Sequence, residues 1–373
     1  MNPSELRQSM PGIRDVVYLN TGASGPSPTP VVESIEETLE THEYESPGGA
    51  GMYENATDVI ESTRESVGDF VGADPDSIAL TESTTDGINR VATALDWGPD
   101  DTVVISDLEH AAGHLPWKRL RRTVGIDLEI VESNDGRFDL EAYEEALTDA
   151  TLLCVSSTDW LYGRKHRIPE LVRIANELGA RTLVDAVQDV GQRPLDVGDL
   201  GADFVAAAGH KWLLGPWGAG FLYVDDSILS DVEPAHVGYR SVNDPESDPF
   251  EWKDGARRFE IGTTNPAVYA GLEAAIDTMK SIGLTRIRDR IESLTDTFKE
   301  GVPTDHLLSS RDFHSGLITV SVSDPESTVE RLRDENIVVR SLPMSNAVRV
   351  SLHAFNTVED VEAVLDGLQS DWE

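Results

Sequence analysis

One cysteine and six lysines stand against 68 Asp and Glu in these 373 residues, so thiol and ammonium groups are both scarce. The lone thiol, Cys154, excludes an internal disulfide, a CxxC redox pair and a cysteine zinc cluster. Its apolar setting, Thr151-Leu152-Leu153-Cys154-Val155, reads as a strand centre in which cysteine is a small core residue. With 30 Lys and Arg the formal net charge is −38, a surface that phosphate backbones and anionic membranes repel. Neither nucleic acid nor membrane is therefore an expected partner, whereas a small ligand held by a few local cations is compatible with the charge. A basic stretch followed by an apolar core is missing from Met1–Met10, and no apolar run reaches membrane-spanning length. The location this predicts is cytoplasmic. Hydrophobic residues still make up 39%, enough for a folded core despite the charge. A carboxylate-rich, lysine-poor surface stays hydrated in concentrated salt, which also screens its self-repulsion. A halophilic host fits this composition, an ordinary acidic cytosolic protein being the plainer alternative.

From about residue 77 to 224, short β-rich runs alternate with amphipathic helical segments. The strands are expected at Ser77–Thr81, Thr102–Ser106, Asp127–Glu132, Leu152–Ser156, Thr182–Asp185, Phe204–Ala208 and Gly220–Val224. This alternation predicts a largely parallel sheet with helices on both faces, whose ligands sit beyond the carboxyl ends of the strands. A loop-like stretch, Asn243–Pro249, is followed by one long helical pattern from Pro266 to Glu300. A short α+β tail follows, with strands at Gly316–Val322, Ile337–Arg340 and Ala347–Leu352. The division this suggests is a large domain over 16–255 and a smaller one over 256–373, with residues 1–15 packing against the latter.

The chemistry gathers just after strands. Lys211, in Ala207-Ala208-Gly209-His210-Lys211-Trp212, follows an apolar strand, and desolvation there lowers an amine's pKa and favours imine formation. Asp185, at the end of Leu183-Val184-Asp185, needs a donor or cationic partner if buried; a protonated pyridine nitrogen is one, a helix cap or loop ion pair another. Thr81-Glu82-Ser83-Thr84-Thr85-Asp86-Gly87 places hydroxyls at a strand-to-helix junction, suited to an anion or to simple capping. A lysine Schiff base with an acid on the pyridinium nitrogen is the pattern of pyridoxal phosphate sites.

From Tyr18-Leu19-Asn20-Thr21-Gly22-Ala23 to Arg349-Val350-Ser351-Leu352 the chain resembles the class V aminotransferase family, fold-type I pyridoxal-phosphate enzymes, in its cysteine desulfurase and selenocysteine lyase branch. The landmarks between are Thr84–Asn89, Glu109-His110, Asp185–Gln188, Gly209-His210-Lys211 and Arg258–Thr263. The resemblance implies a seven-stranded, mainly parallel sheet between helices, a smaller α+β C-terminal domain, pyridoxal 5'-phosphate as cofactor and an amino acid substrate. It makes Lys211 the Schiff-base lysine and proton shuttle, and Asp185 the partner of the ring nitrogen. Gln188 would bond the ring's phenolic oxygen, and His110 would stack on the ring face and assist proton transfer as a catalytic residue. Thr84, Thr85 and His210 match phosphate ligands, and Thr263 matches a residue contributed across a homodimer. Arg349 matches the arginine that grips the substrate carboxylate with a bidentate fork. Lys211, His210 and Arg349 would supply the site's positive groups, and no metal is expected.

The departures bear on the reaction. Desulfurases of this kind carry a catalytic cysteine on a loop before the carboxylate-binding arginine; here Val339–Val348 is short and has none. Persulfide formation on the protein is therefore disfavoured, and elimination without a protein thiol survives. Transamination, elimination and epimerisation share their first steps and stay open, as does a desulfurase or selenocysteine lyase with an altered sulfur-accepting site, or a non-catalytic cofactor-binding protein. Ala208 replaces a phosphate-binding serine. Trp160, read as substrate-binding, falls where desulfurases have an asparagine near the ring's phenolic oxygen, and its bulk would reshape the pocket. Glu45–Gly51, glycine-rich, reads equally as a lid or a flexible connection.

Overall fold

The computed structural model describes residues 1–344 and 346–372. The chain enters through a short strand, β1 (Val17–Tyr18). It then builds a seven-stranded sheet from β2 (Ile78–Thr81), β3 (Thr102–Ser106), β4 (Asp127–Val131), β5 (Leu152–Ser156), β6 (Arg181–Asp185), β7 (Phe204–Ala208) and β8 (Gly220–Val224). Their spatial order is β2-β8-β7-β6-β5-β3-β4, parallel from β4 through β7, with β8 antiparallel to both its neighbours. The central strands β5 and β7 are buried at every position, as near-continuous apolar runs covered on both faces must be. Cys154 lies fully buried there, its thiol pushed well above the ordinary value by burial.

The remaining strands are β9 (Leu317–Ser321), β10 (Ile337–Val338), β11 (Arg340–Ser341) and β12 (Ala347–Ser351). β9, β11 and β12 form an antiparallel sheet in the order β11-β12-β9, while β10 pairs in parallel with β1. The segment Ile337–Arg340, expected as one strand, is thus divided between two sheets, with Val339 buried at the junction. The long helical pattern is also divided. Gly283, at φ +91°, ends the helix Pro266–Ile282 and begins Leu284–Gly301, a turn that a side chain would strain.

The helix Pro266–Ile282 packs along Thr29–Glu40 and Met52–Val71, so a division drawn at residue 256 runs through this contact. The N-terminal residues touch both sides of it. Leu6, Met10 and Ile13 join the main hydrophobic core, while Arg7 pairs with Asp360 in the helix Val358–Trp372.

One buried ion pair fastens the sheet's antiparallel edge. Arg64, on Met52–Val71, donates to the Ile78 carbonyl at 2.8 Å and grips both carboxylate oxygens of Glu260 at 2.6 and 3.0 Å. Glu260 also accepts the Leu80 N–H at 2.8 Å. Removing one partner of a buried pair strands the other's charge, so Glu260→Ala is expected to cost about 3–5 kcal/mol. Denaturant unfolding in molar KCl checks this, and a loss below about 1 kcal/mol contradicts it.

Candidate active site

Beyond the carboxyl ends of β5, β6 and β7 lies a cavity of about 180 Å³. Every site residue read from the sequence lines it except Thr263. Parallel register sets Ser156 beside Asp185, and Asp185 beside Ala206, so neighbouring strands deliver their last residues to one edge. Lys211 follows in the loop after β7.

Asp185 is buried, one carboxylate oxygen accepting the Val187 N–H at 2.9 Å. Burial raises its pKa and the nearby Lys211 ammonium pulls it back. For Lys211 burial wins: its pKa falls to about 8, Asp185 opposing the drop while Arg349 and Arg340 add to it. An amine and a carboxyl group, each biasing the other's proton, thus share one low-dielectric floor. Beneath them Glu109, fully enclosed, accepts from Ser106 Oγ at 2.7 Å, Ser156 Oγ at 2.6 Å and the Ser156 N–H at 3.0 Å. Its carboxyl is pushed up to about 7 because desolvation outweighs those three donors.

One end of the cavity is the N-terminus of the helix Thr84–Ala94. Ser83 caps it by accepting the Asp86 N–H at 3.1 Å, while Thr84 Oγ1 is buried without a partner. First-turn N–H groups and an unspent hydroxyl form an anion cradle. His210 lines the same cavity, but burial and then Lys211 push its pKa down to about 4. It is neutral near pH 7, which corrects the expectation that it supplies positive charge: its contribution is an N–H.

His110 caps the helix Ala111–Thr123, its Nδ1 3.4 Å from the Ala112 N–H. Burial first, then the Lys211 charge, lowers its pKa to about 4, so this ring is neutral too. It meets the Trp160 ring edge-on, with centroids 5.1 Å apart. The Trp160 carbonyl accepts from Arg349 Nη1 at 2.8 Å, and the indole Nε1 is buried without a partner.

Arg349 is fully buried, its Nε and Nη2 unpartnered, and burial followed by the Arg340 charge drops its pKa to about 9. Arg340 faces it directly across the β11–β12 pair, lines the same cavity and stands 5.7 Å over the Trp160 ring. The sequence reading missed Arg340, although it lies inside the thiol-free interval before Arg349. Ser156, also lining the cavity, was missed as well, whereas Ser83 belongs to the hydroxyl-rich junction read as an anion site.

Thr263 lies elsewhere, exposed on a second cavity with Tyr239, Arg240 and Tyr269.

The residues present fit pyridoxal phosphate. Thr84 Oγ1 and the helix N-terminus lack only an anion, Asp185 has an acidic face toward the cavity, and Lys211 is desolvated within its reach. With such a floor at the carboxyl edge of this sheet, the protein is a fold-type I pyridoxal-phosphate enzyme. It belongs to the class V aminotransferase family, whose model matches residues 17–364. The chain is 34% identical to a probable cysteine desulfurase of Methanothermobacter thermautotrophicus, over 99% of this chain and 98% of that protein. A probable cysteine desulfurase of Pyrococcus abyssi is 31% identical over 98% and 97%. Among solved structures, the apo cysteine desulfurase of Thermococcus onnurineus NA1 superposes with a TM-score of 0.91 at 31% identity, covering 99% of this chain and 98% of its own. The cystine C–S lyase C-DES, in complex with its reaction product cysteine persulfide, gives 0.91 at 25% identity, covering 96% and 98%.

The depressed Lys211 pKa makes a prediction for apo protein. The rate at which it captures added pyridoxal phosphate should rise roughly tenfold per pH unit below about 8 and level off above it. Stopped-flow absorbance measures this; a rate still climbing at pH 10 would place the amine at its ordinary value of 10.5.

Proposed function

We propose that this enzyme cleaves the carbon–sulfur bond of an amino acid bearing a second carboxylate, by β-elimination without a protein thiol. The observation that carries the reading is the hairpin of β11 and β12, which sets Arg340 opposite Arg349 with no cysteine between them. Like charges directly across a strand pair destabilise it. Among the described residues neither guanidinium meets a carboxylate; the buried ion pairs lie elsewhere, at Arg64–Glu260 and Arg193–Asp189. An arrangement of this kind suits a ligand with two anionic groups.

Pyridoxal phosphate, when bound, supplies the electron sink that makes an amino acid's Cα–H acidic. Thr84, Thr85 and neutral His210 would hold its phosphate. Asp185 would keep a proton on the ring nitrogen, Gln188 would donate to the phenolic oxygen, and His110 would cover the ring. Lys211, the amine that would carry the cofactor, would also move the proton at Cα. Arg349 grips the α-carboxylate with its two unspent donors, and Arg340, over Trp160, takes the second carboxylate.

Cystine has that second carboxylate, and C-DES is named as a lyase for it. Loss of the Cα proton and cleavage of the Cβ–S bond on the same half of cystine release cysteine persulfide as leaving group, and water converts the remaining three-carbon fragment to pyruvate and ammonia. No oxidant or reductant is needed. Thr263, outside its own chain's site, is read as a contribution to the partner's site in a homodimer.

The second reading, cysteine desulfuration, is favoured by the relatives' names. Product analysis separates the two: cystine should yield pyruvate, ammonia and cysteine persulfide, whereas alanine from cysteine overturns the proposal. Arg340→Met is expected to raise KM for cystine roughly tenfold or more, the loss of one charge-assisted contact, and to leave that for cysteine nearly unchanged. Equal effects on both substrates would remove Arg340 from the second-carboxylate role.

A further inference from the structure

Gln188 lines the cofactor cavity, and both ends of its amide are already assigned by neighbours that permit one orientation. The indole Nε1–H of Trp212 points at one amide atom from 2.7 Å. An indole nitrogen only donates, so that atom is the oxygen. The other amide atom sits 3.1 Å from the Gly22 carbonyl, which only accepts, so it is the nitrogen. The amide nitrogen carries two protons, and Gly22 uses one. The second is left for the cavity.

Trp212 is itself held without freedom. It is fully buried directly after Lys211, and its ring stacks on His353, with centroids 5.8 Å apart and planes at 19°. The Trp212 carbonyl lies 3.0 Å from His353 Nε2, which must therefore carry the imidazole proton. Burial lowers the His353 pKa to about 4, consistent with a neutral ring. Two glycines shape the slot. A Cβ on Gly191, at φ +102°, would meet the Trp212 carbonyl oxygen at 2.4 Å, and one on Gly316 would meet the indole Cη2 at 2.8 Å. The backbone of Gln188 is pinned as well: Gln192 Nε2 donates to its carbonyl, while Gln192 Oε1 accepts the Gly316 N–H at 2.7 Å.

We propose that Trp212 is a positioning residue that locks the Gln188 amide with its nitrogen toward the cofactor, making it a donor to the ring's phenolic oxygen. The inference rests on the reading that Gln188 faces that oxygen. Without the indole N–H, only the Gly22 carbonyl holds the amide in this orientation, and rotamers that present its oxygen, which a phenolate repels, become more accessible. A donor draws charge from the phenolate and weakens its hold on the proton of the Lys211–cofactor link. Losing the donor should therefore raise the pH at which that proton leaves.

The test is the pH titration of the visible absorption band of the holoenzyme for wild type, Gln188→Ala, Trp212→Phe and the double variant. Gln188→Ala is expected to move the midpoint up by roughly half a unit to one unit. Trp212→Phe should move it in the same direction, and the double variant no further than Gln188→Ala, the non-additivity of groups acting as one unit. No shift in Gln188→Ala overturns the placement of Gln188 at the phenolic oxygen and the proposal with it. A shift in Gln188→Ala without one in Trp212→Phe, or fully additive shifts, overturns the role of Trp212 alone. Indole hydrogen exchange of the 15N-labelled wild-type holoenzyme needs no variant, so it decides the matter even if Trp212→Phe fails to fold. The Trp212 N–H should exchange far more slowly than that of Trp117, equally buried but without a hydrogen-bond partner; equal rates overturn the lock.

Discussion

Two opposite charges with nowhere else to go organise this molecule: the Lys211 ammonium and the Asp185 carboxylate, both enclosed at adjacent strand ends. Burial works against each, and each is the other's chief electrostatic relief. Their coupling is incomplete, since Lys211 still drops to about 8, and this leaves an amine that gives up its proton readily beside a carboxyl whose own pKa burial raises. The fold serves that requirement. A parallel register delivers Ser156, Asp185 and the loop after β7 to a single edge, and the apolar runs that feed those ends exclude water.

The surroundings extend the same logic. His110 and His210 are kept neutral by burial next to Lys211, so they line the cavity without adding charge. Positive charge is concentrated instead on Arg340 and Arg349, across one hairpin inside a chain of net charge −38. Among the described residues neither of these facing guanidiniums meets a carboxylate, the arrangement on which the proposed substrate with two anionic groups rests. The indole of Trp212 ties this half of the site to the other, since of the residues that flank it His353 closely follows Arg349 and Gly316 directly precedes β9, the strand paired with Arg349's own β12.

Much of this could be read from the sequence because buried parallel strands announce themselves. Thr102–Ser106, Leu152–Ser156, Phe204–Ala208 and Gly220–Val224 fall where the apolar runs place them, and polar residues at their ends stand out. What escaped depends on geometry that the linear pattern hides. Helical periodicity continues on both sides of Gly283, so the break is visible only as a positive φ. Ile337–Arg340 is apolar enough for one strand, yet its halves answer to different partners, β1 and β12. Arg340 became a site residue only through the register that sets it opposite Arg349. The neutrality of His210 likewise follows from enclosure beside Lys211, which its place in the chain does not disclose.

The account depends on one lysine carrying the cofactor at the strand edge. The six lysines make this directly decidable: reduce the holoenzyme with borohydride in molar KCl, digest it, and locate the phosphopyridoxyl group by mass spectrometry. The label should fall on Lys211 alone. A label on Lys118, Lys165, Lys253, Lys280 or Lys299, with Lys211 unmodified, would contradict the account.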